Sequence, residues 1–180
     1  MGEAEGPQEW LQAAREGDEG AFERLLRHYY RPLFRLVFQI VPNAEDTEEI
    51  LQDAFFRFYK ALRRLRPGED PYPFLKAVAV RRAYTHLRRR RTAPLFEELP
   101  EEAVDLRVGG RAFEPARLFR WAWTLPHRQR IVFLLREVMG LPDGEVSALL
   151  GIAEVTVRRH ASLAREAFRR ALEEGGLTAP

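Results

Sequence analysis

The chain of 180 residues contains no cysteine, so disulfide frameworks, thiolate zinc sites and cysteine nucleophiles are all excluded. That absence fits a reducing compartment. Histidine is scarce: His28, His86, His127 and His160 lie far apart, with no HExxH or paired ExxH spacing to hold a metal. The acids Glu45, Asp46, Glu48, Glu49 and Asp53 make a carboxylate group, but it has no partnered histidine. No glycine-rich phosphate loop follows a strand, and no Ser/His/Asp set stands out, so neither an enzyme nor a bound cofactor is expected. Long apolar runs are missing too; none approaches the roughly 18 residues of a membrane span. The acidic start, MGEAEGPQEW, lacks the basic region of a secretory signal. The expectation is a cytoplasmic protein without membrane insertion. Lysine is nearly absent beside arginine, a bias that genomic base composition produces without any functional cause.

What is present is charge in blocks. The formal net charge is only +2. Residues 1–26 are strongly acidic, residues 57–91 strongly basic, and residues 92–117 acidic again. The basic block ends in four consecutive arginines, Arg88 to Arg91, which repel one another and have no acid nearby in sequence. Such a distribution suits a face made for a polyanion, with an acidic segment kept apart from it.

Apolar residues recur at helical spacing almost everywhere, and no segment reads as a convincing strand. Phe22, Leu25, Leu26, Tyr29, Leu33, Val37 and Ile40 line one helix, which Asp18 can cap and Pro42 closes. Asn43 with Asp46 resembles a capping pair before a second helix, whose apolar face is Leu51, Ala54, Phe55, Phe58, Leu62 and Leu65. A third long helix is predicted over 74–91. Residues 92–114, with prolines, a Gly-Gly pair and clustered acids, read as a flexible acidic linker. Helical spacing resumes from Pro115. The predicted fold is all-α: a helical domain over 1–91, the linker, and a second helical domain over 115–180.

Within that second domain, residues 140–168 have the form of a helix-turn-helix. A short helix carrying Val146, Leu149 and Leu150 leads to Gly151-Ile152, where glycine can take the positive φ that the turn demands. The following helix offers Thr156, Arg158, Arg159, His160 and Ser162 near its N-terminal end, the end that enters a major groove. Arginine can grip guanine O6 and N7 together, while Thr and Ser reach phosphates or bases. The string from Leu125-Pro126 through Arg128, Arg130, Gly140-Leu141, Gly151-Ile152 and Thr156-Val157-Arg158 resembles the C-terminal domain of bacterial sigma factors of the extracytoplasmic-function (ECF) group. The resemblance implies that this domain reads the upstream (−35) promoter element, with Arg128 and Arg130 assisting. His160 and Leu163 depart from the basic residues usual in that family.

The same family has a second block, and TEEILQDAFFRFYKAL (residues 47–62) is similar to it. The resemblance implies that Glu49, Gln52, Asp53 and Arg57 dock on the clamp of core RNA polymerase. PYPFLKAVAVRRAYTHLRRRR (residues 71–91) resembles the helix that reads and melts the downstream (−10) element. Unpaired bases stack on aromatic rings while arginines hold the backbone. Tyr72, Phe74 and Tyr84 are the candidate platforms, and Arg81, Arg82, Thr85, Arg88, Arg89, Arg90 and Arg91 the candidate polar contacts. Arg81 and Thr85 stand where many members carry asparagine and aspartate, and Phe74 where tryptophan is usual; a place in the core is the favoured alternative for Phe74. The implied partners are core RNA polymerase, promoter DNA in duplex and single-stranded form, and an anti-sigma factor.

Two other function classes compete. Residues 156–160 also resemble the recognition helix of response-regulator transcription factors, but those carry a strand-rich phosphoacceptor domain that the N-terminal half does not show. A purely inhibitory interaction protein would leave the basic aromatic segment without a purpose.

Overall fold

The computed structural model describes residues 6–66, 68–89, 107–108, 111–175 and 177. Arg90, Arg91 and most of the expected linker lie outside the described residues.

The N-terminal module is built from α1 (Pro7–Glu16), α2 (Glu19–Ile40), α3 (Ala44–Ala61) with a 3-10 turn at Leu62–Arg64, and α4 (Tyr72–Arg89). Asp18 Oδ1 accepts the Ala21 N–H at 2.9 Å, and Asn43 Oδ1 accepts that of Asp46 at 2.8 Å. Both bonds satisfy donors that a helix start leaves open. Pro32 sits on the exposed side of α2 and does not break it, although it removes one intrahelical bond. The third helix starts at Tyr72 rather than Phe74, because Asp70 Oδ1 takes the Tyr72 N–H at 2.9 Å and anchors the earlier turn.

The C-terminal module opens with a two-residue antiparallel ladder, β1 (Arg107–Val108) with β2 (Arg111–Ala112). Then follow α5 (Pro115–Thr124), α6 (His127–Phe133) running into a π-turn at Leu134–Val138, α7 (Asp143–Leu150) and α8 (Glu154–Glu173). Val108 and Phe113 are buried beside Phe133 and Phe168. The end of the expected linker is therefore packed rather than loose. Two large apolar side chains in an otherwise polar stretch are the reason.

Two apolar clusters hold the molecule. One contains Val108, Phe113, Leu118, Phe133 and Phe168 and belongs to the C-terminal module alone. The other joins both modules. It runs from Leu25, Leu51 and Phe58 through Leu75, Ala79 and Ala83 to Ile131, Leu135, Val146 and Leu149. Helix α6 lies between the clusters, giving Phe133 and Leu134 to one and Ile131 and Val132 to the other.

Candidate nucleic-acid interface

The turn between α7 and α8 rests on Gly151, at φ +66°. No atom stands within 4 Å of where a Cβ would be, so backbone conformation rather than crowding selects glycine there. Ser147 closes the turn: its Oγ donates to the Ile152 carbonyl at 2.6 Å, and its own carbonyl accepts the Gly151 N–H at 2.9 Å. A serine four residues before a Gly-Ile step is a signal the sequence held and the periodicity did not disclose.

Helix α8 buries Val157, Ala161 and Ala164 and turns its other side outward. Arg159 and Ser162 are exposed, Thr156 and His160 half-buried. Arg159 pairs with no carboxylate among the described residues, whereas Arg158 lies 3.4 Å from Glu154 and 3.9 Å from Asp143. Two apolar side chains share this outer side, Val155 at 65% and Leu163 at 40% exposure. Burial, with Arg128, Arg159 and His127 nearby, holds the His160 imidazole below its ordinary pKa. His127 is lowered by burial and by Arg128, Arg130 and Arg88. The two histidines thus resist charging inside a basic neighbourhood.

Arg128 is exposed beside this face, but Arg130 is not available to DNA. Its side chain is buried, donating to the carbonyls of Ala122 at 3.1 Å, Trp123 at 3.0 Å and Leu125 at 3.1 Å. Its guanidinium carbon stands 3.9 Å from the centre of the Trp123 ring. Burial pushes its pKa down to about 10, so it remains a cation at neutral pH. The charge closes the carboxyl end of α5, where unpaired carbonyls gather partial negative charge. Arg130 is a structural residue, and its place in the DNA-contact set is withdrawn.

Helix α4 departs further from the expected picture. Tyr72 is half-buried and stacks on Tyr29, their rings 5.8 Å apart. Phe74 is half-buried with its ring 6.2 Å from that of Phe58, and Tyr84 lies 6.0 Å from His127. None of the three is an open stacking platform in this arrangement. Arg82 forms an ion pair with Asp53, and the Thr85 hydroxyl bonds back to the Arg81 carbonyl at 2.9 Å. Arg88 and Arg89 are exposed at the helix end. Among the described residues the most exposed aromatics lie on α3 instead: Phe56 at 55% and Tyr59 at 59%, with Lys60 Nζ 4.2 Å above the Phe56 ring.

On α3, Glu49, Gln52 and Arg57 are exposed. Asp53 is half-buried, because it pairs with Arg57 at 3.0 Å and also with Arg82. It lies in a polar cleft between α3 and α4 lined by Glu49, Asp53, Arg82, Thr85, His86 and Arg89. Residues assigned from the sequence to two separate surfaces therefore meet in one cleft. Beside Gln52, between α2 and α3, runs an apolar groove of about 480 Å³ lined by Leu26, Tyr30, Leu51 and Phe55. Among the described residues no group of three potential ligands could hold a metal ion, and no helix is long and apolar enough to cross a membrane.

Two family models match the chain in order: sigma-70 region 2 over residues 25–93 and sigma-70 region 4 over residues 124–168. The ECF RNA polymerase sigma-E factor of Escherichia coli K12 is 30% identical over 172 residues, covering 88% of this chain and 90% of that protein. The RNA polymerase sigma-H factor of Pseudomonas aeruginosa is 26% identical over 180 residues, covering 92% and 93%. Among solved structures, CnrH in complex with the cytosolic domain of CnrY is similar with a TM-score of 0.62 at 18% identity, over 93% of this chain and 97% of that one. The sigma factor RpoE of Bartonella quintana, solved with the anti-sigma factor NepR, gives 0.58 at 17%, over 84% and 96%. At these identities the structural likeness speaks for the fold.

Proposed function

Because the chain belongs to the ECF group of RNA polymerase sigma factors, which direct promoter recognition at transcription initiation, we propose a division of labour among its helices. The unit over residues 115–180 reads the −35 element through the start of α8. Arg159 and Arg158 make the polar contacts there, and Thr156, His160, Ser162 and Arg128 flank them. Val155 and Leu163 add an apolar strip of the kind that meets thymine methyl groups. The observation that carries this assignment is the unpaired, exposed Arg159 on the outer side of a helix that follows an αL glycine.

The unit over residues 1–91 docks on core polymerase and captures the −10 element. Glu49, Gln52, Phe56 and Tyr59 recur at helical spacing on the outside of α3. Acids, an amide, two rings and a neighbouring apolar groove suit a basic protein helix better than DNA. Tyr72, Phe74, Arg81, Arg82, Tyr84, Thr85, Arg88 and Arg89 of α4 form the −10 set, most of them occupied until DNA arrives. An anti-sigma factor, as found with the Bartonella relative, is the expected regulator, and the protein acts in the cytoplasm where polymerase is. It has no catalytic centre of its own.

Co-purification with core polymerase followed by run-off transcription tests the whole reading. Arg159→Ala should weaken initiation at promoters in a way that depends on the −35 sequence. If it initiates normally at every promoter, α8 is not the reader.

A further inference from the structure

Helix α1 ends in a tight reversal beside the end of α3. Gly17 stands at φ +107°, and the Asp18 N–H bonds back to the Ala13 carbonyl at 3.0 Å, so only two residues separate α1 from α2. That turn, the start of α2 and the end of α3 border a cavity of about 580 Å³, a size usual for small-molecule sites. Of the residues assigned above to polymerase or promoter, only Tyr59 lines it. Rings and cations meet there. Phe22 and Tyr59 stand edge to face with ring centres 5.2 Å apart, so the exposed Tyr59 ring is braced on one side and open on another. Arg15, Lys60 and Arg63 bring three positive charges. Of the two acids present, Asp18 is already engaged: its Oδ1 accepts the Ala21 N–H and its Oδ2 lies 3.8 Å from Arg24. Glu19 alone leaves the balance positive.

Arg15 is the unusual member of the set. It lies half-buried in the last turn of α1, and its Nη1 is enclosed with no hydrogen-bond partner among the described residues. The carbonyls at the end of α1 do not serve it: those of Ala13 and Ala14 accept the N–H groups of Asp18 and Gly17 instead. An enclosed charged donor without an acceptor is costly, and a bound anion removes that cost.

A ring open to solvent beside uncommitted cations suits a ligand that is both flat and anionic. Bases stack on aromatic side chains, and guanidinium groups grip phosphate oxygens in pairs. We propose that this cavity is a nucleotide site, with the phosphate held by Arg15, Lys60 and Arg63 and the base lying on Tyr59. A free nucleoside monophosphate and the phosphorylated end of a single strand present the same groups to it. The site stands apart from the two promoter-reading helices, α4 and α8.

Calorimetric titration of the full-length protein at constant ionic strength, with adenosine 5′-monophosphate, adenosine and inorganic phosphate in turn, tests the site. The monophosphate should bind saturably, at least about tenfold tighter than either adenosine or phosphate, because each fragment meets only part of the cavity. Arg15→Gln should weaken the monophosphate by about tenfold or more. Arg63→Gln, at an exposed position where folding is not in question, should weaken it roughly threefold. Tyr59→Leu should weaken the monophosphate and adenosine alike. A 5′-phosphorylated oligothymidine that displaces the monophosphate assigns the site to a strand end, and one that does not assigns it to the free nucleotide. Absence of saturable monophosphate binding overturns the proposal, as does unchanged affinity in both arginine variants. Arg15→Gln that melts lower yet binds as wild type makes Arg15 a structural residue and overturns it too. Failure of the unmodified protein to initiate with core polymerase would strike the sigma-factor reading and leave this site standing.

Discussion

Helices α4 and α8 are both basic and nearly equal in length, at 18 and 20 residues, yet their arginines live differently. On α4 three charges are taken, Lys76 by Glu145, Arg81 by the α7 carbonyls and Arg82 by Asp53, while Arg88 and Arg89 at the helix end are exposed. On α8 Arg159 faces water and Arg170 a local acid, while Arg158 reaches Asp143 as well as Glu154, and Arg165 reaches Glu137. A helix packed against α2, α3 and α7 keeps only a narrow open stripe, whereas one resting on α6 and α7 keeps a broad one. Basic residues on a narrow stripe reach intramolecular partners first.

The contrast is sharpest for a cation that never faces outward. Arg130→Ala removes hydrogen bonds to three carbonyls at the end of α5 and leaves a gap over Trp123, and should lower stability by about 3 kcal/mol or more. Thermal melting of the variant measures it. Arg159→Ala should barely move the melt but weaken −35 binding by about 1–3 kcal/mol, read by titration against duplex DNA. Equal melting shifts for the two variants would break the distinction between structural and reading arginines. Gly151→Ala tests the turn that aims α8, and holding alanine at positive φ should lose about 1–2 kcal/mol of stability.

Asp53 sharpens the comparison from the other side. Because it pairs with Arg57 and Arg82, Asp53→Arg sets a third cation beside them, and the protein should melt lower even before polymerase is added. Gln52→Ala, exposed and away from such pairs, should stay within about 0.5 kcal/mol of wild type and still lose polymerase binding in a pull-down. The smallest effect concerns pH. His127 and His160 titrate below their ordinary value, so the unfolded chain takes up protons first as pH falls. Their contribution is complete above about pH 6.5 and declines below it, until the folded form is protonated as well. The melting temperature should therefore drop on acidification, and a His127→Gln, His160→Gln variant should show a flatter slope. An unchanged slope would place the acid sensitivity elsewhere.

Much of this was legible beforehand. The caps at Asp18 and Asn43, the αL glycine of the turn and the inward faces of α2 and α3 follow from local rules, because neighbours in sequence decide them. Arg130 did not follow: its burial depends on the end of α5 folding over it, a tertiary fact with no period. Nor did the occupied state of Arg81, whose partners lie on another module. The exposed rings could have been found. Phe55, Phe56, Phe58 and Tyr59 crowd two turns of one helix, and at 3.6 residues per turn they cannot all face the core. Two had to look outward, and Phe56 and Tyr59 do.

The apolar centre of the seam between α4 and α7 has a thermal consequence. Parting the modules bares Ile131, Leu135, Val146 and Leu149 together with the α4 side chains they cover, and baring apolar surface raises heat capacity. The free energy of opening is then a curved function of temperature with a maximum, falling away toward the cold as well as toward the heat. The hold of α7 on α4 therefore weakens at both ends of the range.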